Sequence, residues 1–371
     1  MPSAERLKEA GRQLVICNAC RYCEGFCAVF PAMERRRSFA PADLTYLANL
    51  CFDCRGCFYA CQYAPPHEFA VNVPKIFAEL RAETYREYGW PRLLSGLYRR
   101  GLVGALVPSA VCVAIVLFLV LLLKGPGALL EVDGREGAFY RVIPFEAMVV
   151  PALLLAIYGL AVFLIGTVRF WRDTGGRIGD LLDARAFARA ARDTLSLRYL
   201  GGGGDGCNYP DAAFSSERRW LHHLVFYGFL LDLASTTVAA IYDHFLNWRA
   251  PYPLLSWPVA LGTLGGLMIV AGTLGLLYLK RRSDAVPAEP RMVSMDVAFL
   301  MALFLTSVTG LLLLVLRETP AMGILLAVHL GVVAALFVTL PYGKFAHVFY
   351  RYAALIRNAL EERAEQTSAH H

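Results

Sequence analysis

The chain has 371 residues, of which 57% are hydrophobic and 18% are charged, and its formal net charge is +6. Soluble globular proteins are about 45–50% apolar and about 25% charged, so this composition excludes an ordinary soluble domain and favours a membrane protein. The long uncharged runs begin only at Leu102, whereas residues 1–100 are mixed and charged. We therefore predict an N-terminal domain outside the bilayer, followed by a membrane part.

Eight of the ten cysteines lie in two runs with the same spacing, C-x2-C-x2-C-x3-C. The first run reads CNACRYCEGFC and the second reads CFDCRGCFYAC. In two-cluster ferredoxins, the fourth cysteine of each such run binds the other cluster. This pattern predicts two [4Fe–4S] clusters, one held by Cys17, Cys20, Cys23 and Cys61, and the other by Cys51, Cys54, Cys57 and Cys27.

Zinc and disulfides are the alternative uses of these cysteines. Zinc sites favour two pairs of cysteines over four cysteines in eleven residues. Residues 1–16 lack the apolar core of a secretory signal, so we expect the domain in the cytoplasm, where disulfides are disfavoured. The runs depart from the ferredoxin pattern in one respect, because Pro31 and Pro65 come four residues after the last cysteine instead of directly after it. The shared offset suggests an internal duplication.

Six windows have the roughly 20 apolar residues that a membrane-spanning helix needs. They are Leu102–Leu123, Ala147–Val168, Leu224–Asp243, Leu254–Leu279, Val297–Leu316 and Ala321–Leu340. Lys and Arg are concentrated after the second, fourth and sixth windows, so the positive-inside rule places both termini in the cytoplasm. This bias also explains the net charge, and no nucleic-acid partner is expected. The predicted fold class is α: a cytoplasmic two-[4Fe–4S] ferredoxin-like helical domain, followed by a six-helix transmembrane bundle.

The long loop between the second and third windows contains two distinct stretches. The first, DLLDARAFARAARDTL, predicts an amphipathic helix that lies on the membrane surface or packs on the N-terminal domain. The second, GGGGDGCNYP, breaks any helix and has no P-loop lysine, so it favours a flexible linker or docking loop. The predicted organisation is 1–100 iron–sulfur domain, 101–168 first two spans, 169–219 cytoplasmic loop, 220–350 remaining spans with haem sites, and 351–371 cytoplasmic tail.

Five histidines lie in or beside the predicted membrane helices: His222, His223, His244, His329 and His347. Ionisable residues in such positions indicate function by default, and paired neutral imidazoles are axial ligands of b-type haem. His329 and His347 are eighteen residues apart, close to five helical turns, so they share a helix face.

Opposite chain directions in the third and sixth windows place His222 at the depth of His347, and His244 at the depth of His329. We predict an inner haem b between the first pair and a second, outer haem b between the second pair, with the inner haem the firmer of the two. His223 is the alternative inner ligand.

Taken together, these features resemble the tricarballylate-utilisation protein B family, also called citrate-utilisation protein B. The same unit resembles the C-terminal part of a flavohaemoprotein of aerobic cobalamin synthesis. The resemblance covers nearly the whole chain and is carried by the two cysteine runs, GGGGDGCNYP, RRWLHHLVFYGF and LPYGKFAHVFYR. The histidine pattern is also similar to the gamma subunit of respiratory nitrate reductases, where two b haems stack between helices. In that comparison His222 and His347 would hold the inner haem. The histidines on the earlier helix are more widely spaced here than in that relative.

The resemblance implies a partner, an FAD-containing dehydrogenase that oxidises tricarballylate to cis-aconitate and passes its electrons to protein B. We therefore expect a multi-pass electron-transfer subunit of the bacterial cytoplasmic (inner) membrane that delivers electrons to quinone. No nucleophile or acid–base pair for a soluble substrate stands out, so independent substrate chemistry is not predicted. Two alternatives are a quinol-oxidising subunit that feeds a cytoplasmic reductase, and a redox-sensing or scaffold membrane protein.

Overall fold

The computed structural model describes residues 3–91, 102–130, 137–202 and 204–368. Within these ranges the chain is helical apart from one two-stranded antiparallel ribbon. Six of the described helices are long and apolar enough to cross a membrane. The predicted α fold class with six membrane-capable helices is therefore confirmed. The predicted tail residues His370 and His371 lie outside the described residues.

The N-terminal domain contains five helices: α1 (Ala4–Cys20), α2 (Val29–Glu34), α3 (Pro41–Leu50), α4 (Gly56–Tyr59) and α5 (Val73–Tyr88). Local sequence sets their starts, because the Ser3 hydroxyl accepts from the backbone N–H of Arg6, and the Asn72 side chain caps α5 in the same way. Helices α1 and α3 pack against α5 around buried side chains such as Leu47 and Phe77. This core holds both cysteine runs at its edge.

The rest of the chain continues with longer helices. In chain order they are α6 (Leu102–Lys124), α7 (Ala138–Val142), α8 (Phe145–Asp173), α9 (Ala184–Leu195), the ribbon strands β1 (Cys207–Asn208) and β2 (Phe214–Ser215), α10 (Glu217–Leu246), α11 (Trp257–Arg282), α12 (Pro290–Leu316), α13 (Met322–Thr339) and α14 (His347–Ser368). Short 3₁₀ turns lie at Pro126–Leu129, Ile178–Leu182, Arg198–Gly201, Leu340–Tyr342 and Lys344–Ala346. The six membrane-capable helices are α6, α8, α10, α11, α12 and α13, the last of which runs on into the turn at Tyr342.

Glycines on α11 bring it close to α10. A Cβ added to Gly265 would lie 2.7 Å from the carbonyl oxygen of Gly228, and one added to Gly272 would lie 2.8 Å from that of Leu221. No side chain fits at such distances, so the two backbones pack directly on each other, as small residues allow between membrane helices. Other faces of the bundle carry exposed apolar side chains, for example Leu122 at 67% exposure, as a lipid-facing surface requires.

The N-terminal domain and α14 occupy the same end of the bundle. The Tyr88 hydroxyl donates to the Asp173 carboxylate at the end of α8 (3.0 Å), and Arg55 donates to the Ser283 hydroxyl just after α11 (3.0 Å). Arg36 pairs with Glu361 of α14 at 2.6 Å. Both ends of the described chain therefore lie on one side of the bundle, as an even number of spans requires. That this side faces the cytoplasm stays a prediction.

Helix α9 packs on α14. Arg363 forms a two-bond ion pair with Asp183, the residue that caps α9, at 2.8 and 3.0 Å. The Tyr352 hydroxyl donates to the carbonyl of Phe187 at 3.1 Å. The sequence predicted a helix here and offered the membrane surface or the N-terminal domain as its support. In the structure α9 packs on the C-terminal helix α14 instead.

Residues 207–210, for which the sequence favoured a flexible linker or a docking loop, pack against the second cysteine run. Cys207 is fully buried, and the N–H of Asn208 donates to the carbonyl of Cys54 at 3.0 Å. Gly206 has a φ of +110°, and a Cβ there would lie 2.6 Å from the carbonyl oxygen of Ser215, so only glycine fits the ribbon at this point. The segment is ordered because its backbone pairs with a cysteine run some 150 residues earlier, which local composition does not reveal.

Candidate iron–sulfur and haem sites

The first cysteine run begins on the last turn of α1, where Cys17 and Cys20 are three residues apart. Arg21 ends the helix in the left-handed conformation, with a φ of 54°. The chain then turns through Cys23 and reaches Cys27 just before α2. Cys17 and Cys20 thus lie on the last turn of the helix, and Cys23 and Cys27 follow in the segment between α1 and α2.

The second run starts at Cys51, directly after α3. Asp53 and Arg55 both adopt positive φ values, 57° and 66°, which fold this segment tightly before α4. The backbone N–H of Asp53 donates to the sulfur of Cys51 at 3.4 Å. Such N–H···S contacts stabilise a thiolate, as expected of a ligand sulfur.

Four cysteines from both runs line a cavity of about 300 Å³: Cys17, Cys20, Cys23 and Cys61, with Cys57 also in its wall. Burial raises the pKa of Cys17 to about 12, and the neighbouring thiols of Cys61, Cys23 and Cys20 raise it further in that order. Cys61, from the second run, therefore lies with the first run.

The remaining cysteines form a second group. Burial raises the pKa of Cys27 well above its ordinary value, and the neighbouring thiols of Cys54 and Cys51 add to this shift. Burial likewise raises the pKa of Cys57, whose thiol neighbours are Cys54, Cys27 and Cys51, with Cys23 contributing least. Cys27, from the first run, therefore lies with the second run. The thiols within each predicted set thus lie near one another, and Cys54 also contacts the thiol of Cys207, which is outside both sets. The assignment of the eight cysteines to two clusters stays a prediction.

The donor sets fit iron–sulfur clusters. Thiols whose pKa burial raises become thiolates only beside positive charge, which iron ions supply. Among the residues that the structure describes, no three His, Cys, Asp or Glu side chains converge on the position of one metal ion. Four cysteines spread around a cavity suit a cube of four irons better than a single zinc ion.

His222 and His347 face each other across α10 and the start of α14. Their ring centroids are 6.2 Å apart and the rings are nearly perpendicular, at 87°. Two buried imidazoles this close are the residue pair that would hold one haem iron, because paired neutral histidines are haem ligands.

The hydrogen bonds of these two rings also fit ligation. Nδ1–H of His347 donates to the carbonyl of Lys344 at 2.5 Å, which leaves Nε2 free, the arrangement that metal-bound histidines adopt. Burial, with help from the positive charges of Arg351 and Lys344, lowers the pKa of His347 well below its usual value, so the ring is neutral. Nδ1 of His222 is buried and has no hydrogen-bond partner. A buried ring nitrogen without a hydrogen-bond partner, beside a neutral imidazole, fits a residue pair that would hold a haem iron.

A cavity of about 260 Å³ adjoins both histidines and reaches the second cysteine run. Its wall contains apolar residues such as Val225, Phe229 and Leu303. It also contains the charged residues Asp53, Arg81, Arg218, Lys280, Asp296, Lys344 and Arg351. A wall with both apolar and cationic side chains suits haem, whose ring is apolar and whose two propionates are anionic.

The alternative inner ligand, His223, points elsewhere. Its ring packs against Trp220 (5.8 Å between centroids) and Tyr227 (5.7 Å), and it is absent from the wall of the cavity between the cysteines and the histidine pair. The geometry thus favours His222 over His223.

The proposed outer pair has a different arrangement. His244 lies at the end of α10 beside Phe145, with 5.4 Å between ring centroids. His329 lies on α13 and its ring packs on α12, where its Nδ1 bonds the Thr309 hydroxyl at 3.0 Å and a Cβ added to Gly310 would lie 3.0 Å from the ring. Within the described residues, no hydrogen bond or ring contact joins His244 to His329. The outer haem stays a prediction from the sequence.

Sequence reasoning missed the arginines that join the two kinds of site. Arg81 and Arg351 both donate to the carbonyl of Cys51, at 3.4 and 2.9 Å, and Arg218 donates to the carbonyls of Phe52 and Asp53. One signal for two of them was present, because Arg218 precedes His222 by four residues and Arg351 follows His347 by four. That spacing places each arginine one helical turn from a histidine.

The fold and the cysteine groups define a class: a helical multi-span membrane protein with a cysteine-rich, ferredoxin-like domain at its N-terminal end. The chain belongs to the citrate utilization protein B family, because residues 97–368 match the family model of that name and residues 10–87 match the model of its Fer4-like domain. It is 48% identical over 359 residues to citrate utilization protein B of Escherichia coli, which covers 96% of this chain and 92% of that protein. No solved structure matches the chain.

Proposed function

We propose that this chain is a membrane-bound electron-transfer protein that reoxidises a partner FAD-dependent tricarballylate dehydrogenase and delivers the electrons to the quinone pool. The observation that carries the proposal is the adjacency of two kinds of redox-cofactor donor. His222 and His347 line a cavity whose wall also includes Phe52 and Asp53, which lie between Cys51 and Cys54 of the second run. A scaffold that carried no electrons would need neither donor set.

Two [4Fe–4S] clusters and at least one b haem, when bound, would supply one-electron redox chemistry, which the protein tunes by ligation, burial and spacing. The residues divide the work. Cys17, Cys20, Cys23 and Cys61 would hold one cluster, and Cys27, Cys51, Cys54 and Cys57 the other. His222 and His347 would hold the inner haem iron, with His244 and His329 proposed for an outer haem.

The chain's own charges suit these groups. Lys280 and Lys344 both pair with Asp296 in the cavity wall, and the Lys344–Asp296 distance is 2.7 Å. Burial lowers the pKa of Lys344 to about 8, so this lysine gains from any further anion beside it. We infer that the cationic side chains of the cavity wall bind the haem propionates.

The identity of the partner rests on the family. The matched relative is named for citrate utilization, and the family resemblance implies a flavoprotein that oxidises a tricarboxylate. We propose the cytoplasmic membrane as the location, with the iron–sulfur domain on the cytoplasmic side, because the Arg-rich loops and both ends of the chain share that side.

Reconstitution tests the proposal. The purified protein would be placed in liposomes that contain a ubiquinone or menaquinone analogue, and a tricarballylate dehydrogenase with tricarballylate would be added without oxygen. We expect quinone reduction that requires both proteins. Haem reduction by quinol but not by the flavoprotein would show that electrons flow from quinol towards the cytoplasmic partner. No haem reduction by quinol or by the flavoprotein would favour a scaffold.

A further inference from the structure

Two arginines hold the second cysteine run from opposite helices. Arg351, on α14, donates to the carbonyl of Cys51 at 2.9 Å, and its guanidinium lies 4.4 Å from the centre of the Phe52 ring. Arg218, on α10, donates to the carbonyl of Asp53 at 2.5 Å and to that of Phe52 at 3.3 Å. Three successive carbonyls of one short segment are therefore bound by two helices.

The same two helices carry the facing histidines. Arg351 is four residues after His347, and Arg218 is four residues before His222. In an α-helix the N–H of one residue bonds the carbonyl four residues earlier. A backbone hydrogen bond thus links each arginine to the histidine on its own helix. The side chain of the same arginine donates to the cysteine run.

Neither arginine is an ordinary ion-pairing side chain. Among the residues that the structure describes, neither forms an ion pair with a carboxylate, and the Nε of Arg351 is buried without a partner. Burial disfavours both guanidinium charges. Nearby groups such as Asp53 and Asp296 favour the charge of Arg218, whereas burial lowers the pKa of Arg351 to about 10. Arg218 is further fixed by the ring of Tyr209, 4.9 Å away, which Arg55 covers at 4.7 Å.

We propose that Arg218 and Arg351 are positioning residues that couple the second cysteine set to the His222–His347 pair. They form a two-sided clamp on residues 51–53, so that a shift of the cysteine run moves the helix turns that present the histidines. The inference rests on the proposed function for its consequence at the haem, but the clamp itself is a property of the chain.

The test uses Arg351→Gln and Arg218→Gln in the full-length purified protein. The matched control is Arg363→Gln, on the same helix as Arg351, whose partner is Asp183 and not the cysteine run. Hydrogen exchange of residues 51–57 should rise about tenfold in both test variants, the size expected for a lost charge-assisted hydrogen bond. The control should leave exchange in that segment unchanged.

A second readout follows the cofactors. In both test variants the electron paramagnetic resonance signal of the bound haem should shift, and so should the midpoint potentials of the haem and the second cluster. If either variant fails to fold, Arg351→Lys and Arg218→Lys replace it, since lysine keeps the charge but not the two-pronged fork of donors.

The outcomes separate the two claims. Unchanged exchange at residues 51–57 together with unchanged spectra in both variants would overturn the clamp. A wild-type protein without any haem signal would instead contradict the proposed function, while the exchange measurement would still decide the clamp.

Discussion

His222 and His347 stand with their ring centroids 6.2 Å apart although 125 residues separate them in the chain. One lies in the second turn of α10 and the other is the first residue of α14. Their meeting depends on the break after α13, where two 3₁₀ turns redirect the chain before α14 starts. The pair therefore joins a membrane helix to the C-terminal helix at the end of the bundle that carries the cysteines.

Replacing His347 by Ala should abolish the inner b-haem signal. The substitution removes one of two axial nitrogens, and the remaining histidine cannot hold a six-coordinate low-spin haem alone. We expect loss of about half of the b-type absorbance if two haems bind, and of all of it if one binds. Absorption spectra of the dithionite-reduced protein measure this.

His223→Ala is the matched control for that experiment. It removes the neighbour of His222 on the same helix, whose ring packs on Trp220 and Tyr227 instead of facing His347. The b-type spectrum should be retained. If the b-type spectrum were lost in His223→Ala and kept in His222→Ala, His223 and not His222 would be the haem ligand.

The crossing of the fourth cysteines makes a distinctive prediction. Cys27→Ser should disturb the cluster held by Cys51, Cys54 and Cys57, and Cys61→Ser the cluster held by the first run. Each variant should lose up to about half of the roughly eight irons that two four-iron clusters contain. Iron analysis and electron paramagnetic resonance of the reduced protein measure the loss.

Cys112→Ser controls for the loss of a cysteine as such, because Cys112 lies on α6, outside both runs. It should keep all the iron. If Cys27→Ser removed the same cluster signal as Cys17→Ser, the fourth ligands would not cross.

Gly206→Ala should destabilise the protein. The residue has a φ of +110°, and the added Cβ would lie 2.6 Å from the carbonyl oxygen of Ser215. Strain of this kind costs about 1–3 kcal/mol, and thermal unfolding in detergent should show a lower Tm. Gly179→Ala, where a Cβ meets nothing within 4 Å, should leave the Tm near wild type. Equal Tm values for the two variants would contradict the close packing of Gly206 against the Ser215 carbonyl.

The six spans were predictable because each has its own apolar signal. The first window, Leu102–Leu123, and the helix Leu102–Lys124 differ by one residue. The third window began at Leu224, whereas α10 begins at Glu217. The first two turns lie outside the apolar window because they contain Glu217, Arg218 and Arg219. Arg218 donates to the cysteine run and Arg219 to the carbonyl of Ser196.

The grouping of the cysteines and the nearness of His222 to His347 were predicted from spacing, since short spacings bring thiols together and helical periodicity sets the face of a histidine. What these residues bind stays a prediction. The contact of Asn208 with Cys54, and those of Arg218 and Arg351 with the second cysteine run, join residues some 150 to 300 positions apart, and no local pattern encodes them.

The most direct test of the central claim is anaerobic haem reduction by the partner. Purified protein would be mixed with a tricarballylate dehydrogenase, and tricarballylate would be added while the b-type absorbance is followed, in wild type, in Cys54→Ser and in His223→Ala. The account predicts reduction in wild type and in His223→Ala and its loss in Cys54→Ser, because the second cysteine set adjoins the histidine pair. Equally fast haem reduction in Cys54→Ser, or none in wild type, would contradict the account.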